Sequence, residues 1–322
     1  MFDKFGVSFT AVMAVYGIIV IGMLCRKYGA VSKEVSDTML KLVVNLFSPC
    51  LIVSKVLSNE AFHEPMNIYL PPLAGIALAT FGIAFAWLWA HTLPHSWTGL
   101  DTPQKKGTFA ACIGMFNYGY VPIPLCADLF PGNDRILAIL FVFNVGVEFV
   151  LWTVVVLMFL NSLSWKMIKR GFNIPVITII ITMLLNITHL DSFVPTIAYK
   201  SISMLGAATI PLSLFFVGAT IIDSIHPHDF IERHSGLIRI AIHSCLLRLL
   251  ILPALFVYCA RLRPCSHEIK VIIVIQASMA SAIFPIVMSR VYNGNVKTAI
   301  ITVFSNSLLA IITTSLWIAI GF

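Results

Sequence analysis

Apolar residues run along this chain in blocks, separated by short polar stretches. Ten blocks are readable, at roughly 9–25, 36–58, 68–92, 106–129, 134–160, 173–190, 200–222, 235–259, 268–291 and 296–320. Each is close to the length of about 20 apolar residues that a helix needs to cross a bilayer. The longest polar stretches, 91–107 and 223–236, are too short to fold alone. The pattern predicts an all-α integral membrane protein of ten transmembrane helices. The first block lacks a basic leader and a cleavage site of small residues, so it is expected to be a retained helix rather than a signal peptide.

Composition agrees. Of 322 residues, 59% are hydrophobic and only 11% charged, against about 25% charged in soluble domains. Mean hydropathy is +0.94. The net charge of +7 reads as topology rather than nucleic-acid binding. Loops on the side of the N-terminus carry seven basic residues, and loops on the other side carry twelve, among them Arg26, Lys27, Lys33, Lys166, Lys169, Arg170, Arg233 and Arg239. Basic loops favour the cytoplasm. Both termini are therefore expected outside, in a multi-pass protein of the plasma (inner) membrane. The seven cysteines form no C-x-x-C and read as packing residues; no metal or cofactor is implied.

Sliding the chain over itself by 162 residues places Pro49 on Pro211, Gly132-Asn133 on Gly294-Asn295 and Asn144 on Asn306. Most apolar blocks register as well. Each half then holds five helices, and an odd number sends the second half in from the opposite side. The expected organisation is a first inverted repeat at 1–160, a cytoplasmic linker at 161–172 and a second repeat at 173–322, an architecture used by secondary transporters.

Two blocks are interrupted at matching places. The fourth contains FNYGYVPIPLC, in which Pro122 and Pro124 follow Gly119. A proline in a helix interior costs roughly 3 kcal/mol and frees backbone groups, which survive in a membrane only against protein or a water-filled cavity. The ninth contains QASMASAIFPIV, with small residues before Pro285. Helices four and nine are therefore expected to unwind and cross near the midplane. Their half-helix N-termini suit an anion and their C-termini a cation. The expected substrate site comprises Asn117, Tyr118, Gly119, Pro122, Pro124, Gln276, Ser281, Ala282 and Pro285, with Asn45 from helix two.

Ionisable residues inside a membrane segment are functional candidates. Glu148 lies mid-helix and could carry a proton or coordinate a cation. Arg248 could pair with Glu148, steer an anionic substrate or snorkel to the interface. Asn144 and Asn306 complete the ion-coupling candidates; helix-to-helix bonding is the alternative for both.

The succession Asn117-Tyr118-Gly119…Pro122-Ile123-Pro124-Leu125, then Pro211-Leu212-Ser213…Gly218-Ala219, then Leu246…Arg248-Leu249…Pro253, then Ala277–Pro285 and Tyr292-Asn293-Gly294 resembles the auxin efflux carrier family over almost the whole chain. The resemblance implies two inverted five-helix repeats with a scaffold domain and a transport domain carrying crossed helices four and nine. It implies carriage of small organic anions: malate- or malonate-like carboxylates in bacterial relatives, indole-3-acetate in plant members. The chain lacks the long cytoplasmic insertion of the plant exporters and so resembles the compact, mostly bacterial branch. It departs from the family in having two prolines at the first break.

The function expected is secondary transport by alternating access. The partners expected are a small organic anion, a proton or sodium ion for coupling, the lipid bilayer and a second copy in a homodimer; nucleic acid is excluded. An anion channel and a sodium-coupled carrier of another solute are the alternatives. A membrane-embedded enzyme ranks below them, because no H-E-x-x-H, G-x-S-x-G or His/Cys cluster is present. The densest histidines, His226, His228 and His234, fall in a loop.

Overall fold

The computed structural model describes residues 2–160, 169–224, 235–262, 265–292 and 294–322. The basic residues Lys166, Arg233 and Arg263, the loop histidines His226, His228 and His234, Asn293 and most of the expected linker lie outside the described residues. Among those described the protein is helical throughout, and the sole strand-like pairing is an isolated bridge.

Seven helices are long and apolar enough to span a membrane. With the shorter helices they run in chain order as α1 (Phe2–Lys27), α2 (Lys33–Val56), α3 (Met66–Thr92), α4 (Pro103–Gly114), α5 (Pro122–Leu129), α6 (Asp134–Phe159), α7 (Ile174–Ile187), α8 (Thr196–Ile222), α9 (Gly236–Leu262), α10 (His267–Ser278), α11 (Phe284–Val291) and α12 (Val296–Gly321). The chain signals its helix starts locally. Ser32, Thr102, Asn173, Ser266 and Asn295 each accept a hydrogen bond from the backbone N–H three residues on, satisfying a donor that the helix leaves free.

Three helices widen into a π-turn: α2 at Val43–Phe47, α6 at Leu151–Val155 and α9 at Leu246–Ile251. Such turns rotate the following residues and cluster at functional sites.

Packing sorts the helices into two groups. α1 lies on α8, and α2 lies on α7 and α8. In the other group α3 lies on α4 and α6, while α9 and α10 lie on α12. Close approach needs glycine at the seams. A Cβ at Gly218 of α8 would come within 2.0 Å of the Ile19 carbonyl oxygen of α1. α1 also touches α12, joining the groups along one side. Polar side chains bridge these seams: Asn186 of α7 donates Nδ2 to the carbonyls of Val56, Leu57 and Asn59 at the end of α2, and the Tyr199 hydroxyl of α8 donates to the Ser54 carbonyl of α2.

Candidate functional site

The interrupted blocks are two helix pairs, α4/α5 and α10/α11. The chain leaves helical geometry at Met115–Val121 and again at Met279–Ile283. The two unwound stretches run antiparallel and exchange a pair of backbone bonds. The Asn117 N–H donates to the Ala280 carbonyl at 2.8 Å, and the Ala282 N–H donates to the Met115 carbonyl at 2.8 Å. The bridge centres on Phe116 and Ser281, both buried. Each break thus satisfies backbone groups freed by the other, which is what an apolar surrounding requires.

Pro122 opens α5 and marks the end of the unwound stretch; Pro124 sits two residues inside it. Neither has an N–H, and the Ile123 N–H between them donates to the Gly119 carbonyl at 3.2 Å. This corrects one sequence expectation. The first three positions of α5 offer no free donor to an anion, because the prolines that break the helix also remove its N-terminal N–H groups. Pro285 plays a milder part at the second position of α11, leaving Phe284 ahead of it.

A cavity of about 460 Å³ opens beside the crossing, between the two helix groups. One wall holds Asn117, Tyr118, Gly119, Pro124 and Ala282 of the breaks together with Asn144 and Glu148 of α6. The other holds Ser48 of α2, Asn173 and Val176 at the start of α7, and Thr209, Ser213 and Thr220 of α8. Among the described residues the lining is mainly apolar and aromatic, includes one carboxylate and contains no lysine, arginine or histidine. The volume is in the range of small-molecule sites. The Thr209 hydroxyl is buried without a partner and belongs to this lining.

Glu148 is anchored at two points. Its Oε1 accepts from the Tyr118 hydroxyl at 2.7 Å and its Oε2 from the Trp152 indole at 2.9 Å. The carboxylate therefore ties the crossing to α6, and Asn173 at the start of α7 lines the same cavity. Behind the crossing, the Gln276 amide donates to the Tyr118 carbonyl at 3.1 Å and to Asn144 Oδ1 at 3.2 Å. Asn306 of α12 donates to the Ser281 hydroxyl at 2.8 Å. The amides Asn144 and Asn306 thus each brace the crossing.

Of the expected substrate residues, the cavity brings together Asn117, Tyr118, Gly119, Pro124 and Ala282. Gln276, Ser281, Pro122 and Pro285 are buried behind them as supports. Asn45 is exposed on the π-turn of α2, outside the lining. Arg248 neither pairs with Glu148 nor snorkels. It is fully buried, and its guanidinium donates to the Met279, Gln276 and Ala277 carbonyls. A long side chain turns inward here because two carbonyls at the end of α10 and one just past it meet it there.

Sequence reasoning missed Trp152, Asn173, Tyr120 and the α8 hydroxyls. Asn173 carried a signal: Asn immediately before Ile-Pro is a helix N-cap, and the cap position holds it at the cavity. Trp152 follows Glu148 by one helical turn and could have been paired with it on spacing.

These features define a multi-pass helical membrane protein whose paired helix breaks face a solute-sized cavity. A family model described as "membrane transport protein" matches residues 7–164 and 158–318. The chain belongs to that family, the auxin efflux carrier-like membrane transporters. It is also 23% identical over 317 residues to an uncharacterized transporter of Methanothermobacter thermautotrophicus, covering 96% of this chain and 97% of that one.

Proposed function

We propose that the protein is a secondary carrier that moves a small organic acid across the plasma membrane by alternating access, with the solute held in the cavity at the crossing. The observation that carries the reading is the position of the cavity between the two helix groups, with the paired breaks as one wall.

Counting α7 and each broken pair as one crossing alongside the seven long helices makes ten. The inverted-repeat reading has specific support in the bounds. Shifted by 162 residues, α5 (122–129) falls on α11 (284–291) and α6 (134–159) falls on α12 (296–321). The contacts pair in the same way: α3 on α4 and α6 answers to α9 on α10 and α12, and α1 on α8 answers to α7 on α2. On this reading the repeats are 1–160 and 173–322, and both termini lie outside. The first group serves as scaffold and the second as transport domain. The Lys55–Asp134 ion pair, 2.7 Å long, ties α2 to α6 across the two groups and must open when they move.

The lining favours one branch of the expected substrates. With no basic residue among the described residues that line it, the cavity suits a monocarboxylic acid with an apolar, aromatic body better than a doubly charged malate or malonate. Asn117, Tyr120 and the Thr209 hydroxyl supply donors for one carboxylate. A proton on Glu148 is the coupling this geometry permits: its carboxylate holds the crossing through Tyr118 and faces the cavity between the helix groups, so its charge is coupled to their separation.

The test is exchange in proteoliposomes of labelled indole-3-acetate, malate and malonate, with Asn117→Ala alongside. The reading expects saturable exchange of the aromatic acid, weaker exchange of the dicarboxylates and loss in the variant. Dicarboxylate exchange exceeding that of the aromatic acid refutes the substrate class. Flux that is linear in concentration refutes the carrier and favours a channel.

A further inference from the structure

A helix that ends inside a membrane leaves its last four carbonyls to be satisfied. At the end of α10 every one has a partner. The Ile275 carbonyl accepts from the Ser278 hydroxyl at 2.7 Å, and the Ser278 carbonyl accepts from the Thr314 hydroxyl at 2.8 Å. The Gln276 and Ala277 carbonyls accept from Arg248 Nη2 at 3.0 and 3.1 Å. One residue further, the Met279 carbonyl accepts from Arg248 Nε at 2.7 Å. The guanidinium also lies 4.9 Å from the centre of the Phe116 ring, which belongs to the other break. It is fully buried and has no carboxylate among these contacts, and its Nη1 has no hydrogen-bond partner.

Three carbonyls at the negative end of a half-helix, closed by an aromatic face, make a cation site. In this chain the cation is a side chain. The local fold delivers it: Arg248 lies in the π-turn of α9, and the Leu249 carbonyl displaced there is taken up by the Trp317 indole at 2.7 Å.

We propose that Arg248 is the resident cation of the crossing. It fills the position that a sodium or other alkali ion would take at the end of α10, and no such ion binds there. The positive charge travels with the crossing in every state, so sodium neither drives nor is required for transport. The binding claim stands apart from the substrate assignment; only its consequence for transport rests on the carrier reading.

The test is thermal unfolding of the purified protein in low-millimolar choline chloride, sodium chloride or methylguanidinium chloride. The wild type is expected to melt at the same temperature in sodium and choline. Arg248→Ala is expected to melt several degrees lower in choline and to recover much of that loss in methylguanidinium, which re-enters the vacated site. Arg248→Lys, whose ammonium keeps a charge at the carbonyls, is expected to fold and to remain insensitive to sodium; it replaces the alanine variant if that variant does not fold. A sodium-specific rise in the wild type overturns the proposal. So does an Arg248→Ala variant that melts like the wild type, or one that methylguanidinium does not move, or an Arg248→Lys protein that sodium stabilises. Because unfolding involves no transport, rescue by methylguanidinium together with no organic-acid exchange would sink the substrate reading alone.

Discussion

Tyr118→Phe removes one hydroxyl and leaves the ring. That hydroxyl donates to Glu148 at 2.7 Å and ties the unwound stretch to α6. A hydrogen bond to a charged group is worth about 1.5–3 kcal/mol. The low end applies here, because Glu148 keeps Trp152 as a partner and the adjoining cavity can admit water. A loss of about 1.5 kcal/mol corresponds to roughly a tenfold change in an equilibrium constant. The expected result is a KM for exchange about tenfold higher, with a thermal midpoint a few degrees lower. Trp152→Phe removes the second donor and behaves alike. The double variant should lose more than the two single losses combined, because Glu148 is then left without either donor, and groups sharing one partner are not additive. Proteoliposome exchange and thermal unfolding of the three variants supply both readouts. Single variants indistinguishable from the wild type, or losses additive to within about 0.5 kcal/mol, would refute the claim that Glu148 organises the site.

Gly146→Ala should lower the thermal midpoint by several degrees, because the new Cβ would lie 1.9 Å from the Pro72 carbonyl oxygen, and overpacking of this kind costs about 1–3 kcal/mol; an unchanged midpoint in thermal unfolding would contradict the α3–α6 seam. Asn306→Ala leaves the buried Ser281 hydroxyl without its 2.8 Å donor and should cost about 1–2 kcal/mol of stability, measured by the same assay. Lys55→Ala removes a partly exposed ion pair worth at most about 1 kcal/mol, so the midpoint should hold. Wild-type exchange should quicken as salt screens the pair while the variant's rate stays flat, and equal salt responses would contradict a contact that opens during transport.

Much of this architecture was legible in the sequence for physical reasons. A helix in lipid must be apolar along its length, so α1, α2, α3, α6, α8, α9 and α12 announce themselves by composition. Pro122, Pro124 and Pro285 mark the breaks because no other residue both lacks an N–H and blocks the preceding turn. The direction of side chains was not legible. Arg248 and Glu148 lie on different helices at comparable depth, and charge alone suggested a pair. Only the π-turn in α9, which composition does not reveal, turns Arg248 to the carbonyls of α10. Asn45 failed for a related reason: the π-turn of α2 places it outside the cavity that Val44 and Ser48 line. The prolines misled in the opposite sense. They located the break, yet their missing N–H groups strip α5 of the donors that a helix N-terminus would otherwise offer.

The central claim is that a solute crosses while held in the cavity beside the crossing. Counterflow in proteoliposomes tests it most directly, comparing the wild type with Ala282→Trp, whose side chain would enter that cavity from the second break. The account predicts that unlabelled indole-3-acetate inside drives transient, saturable accumulation of the labelled acid, and that the tryptophan variant, folded and monodisperse, shows none. Counterflow of equal size in the variant would contradict the account and move the pathway elsewhere in the protein.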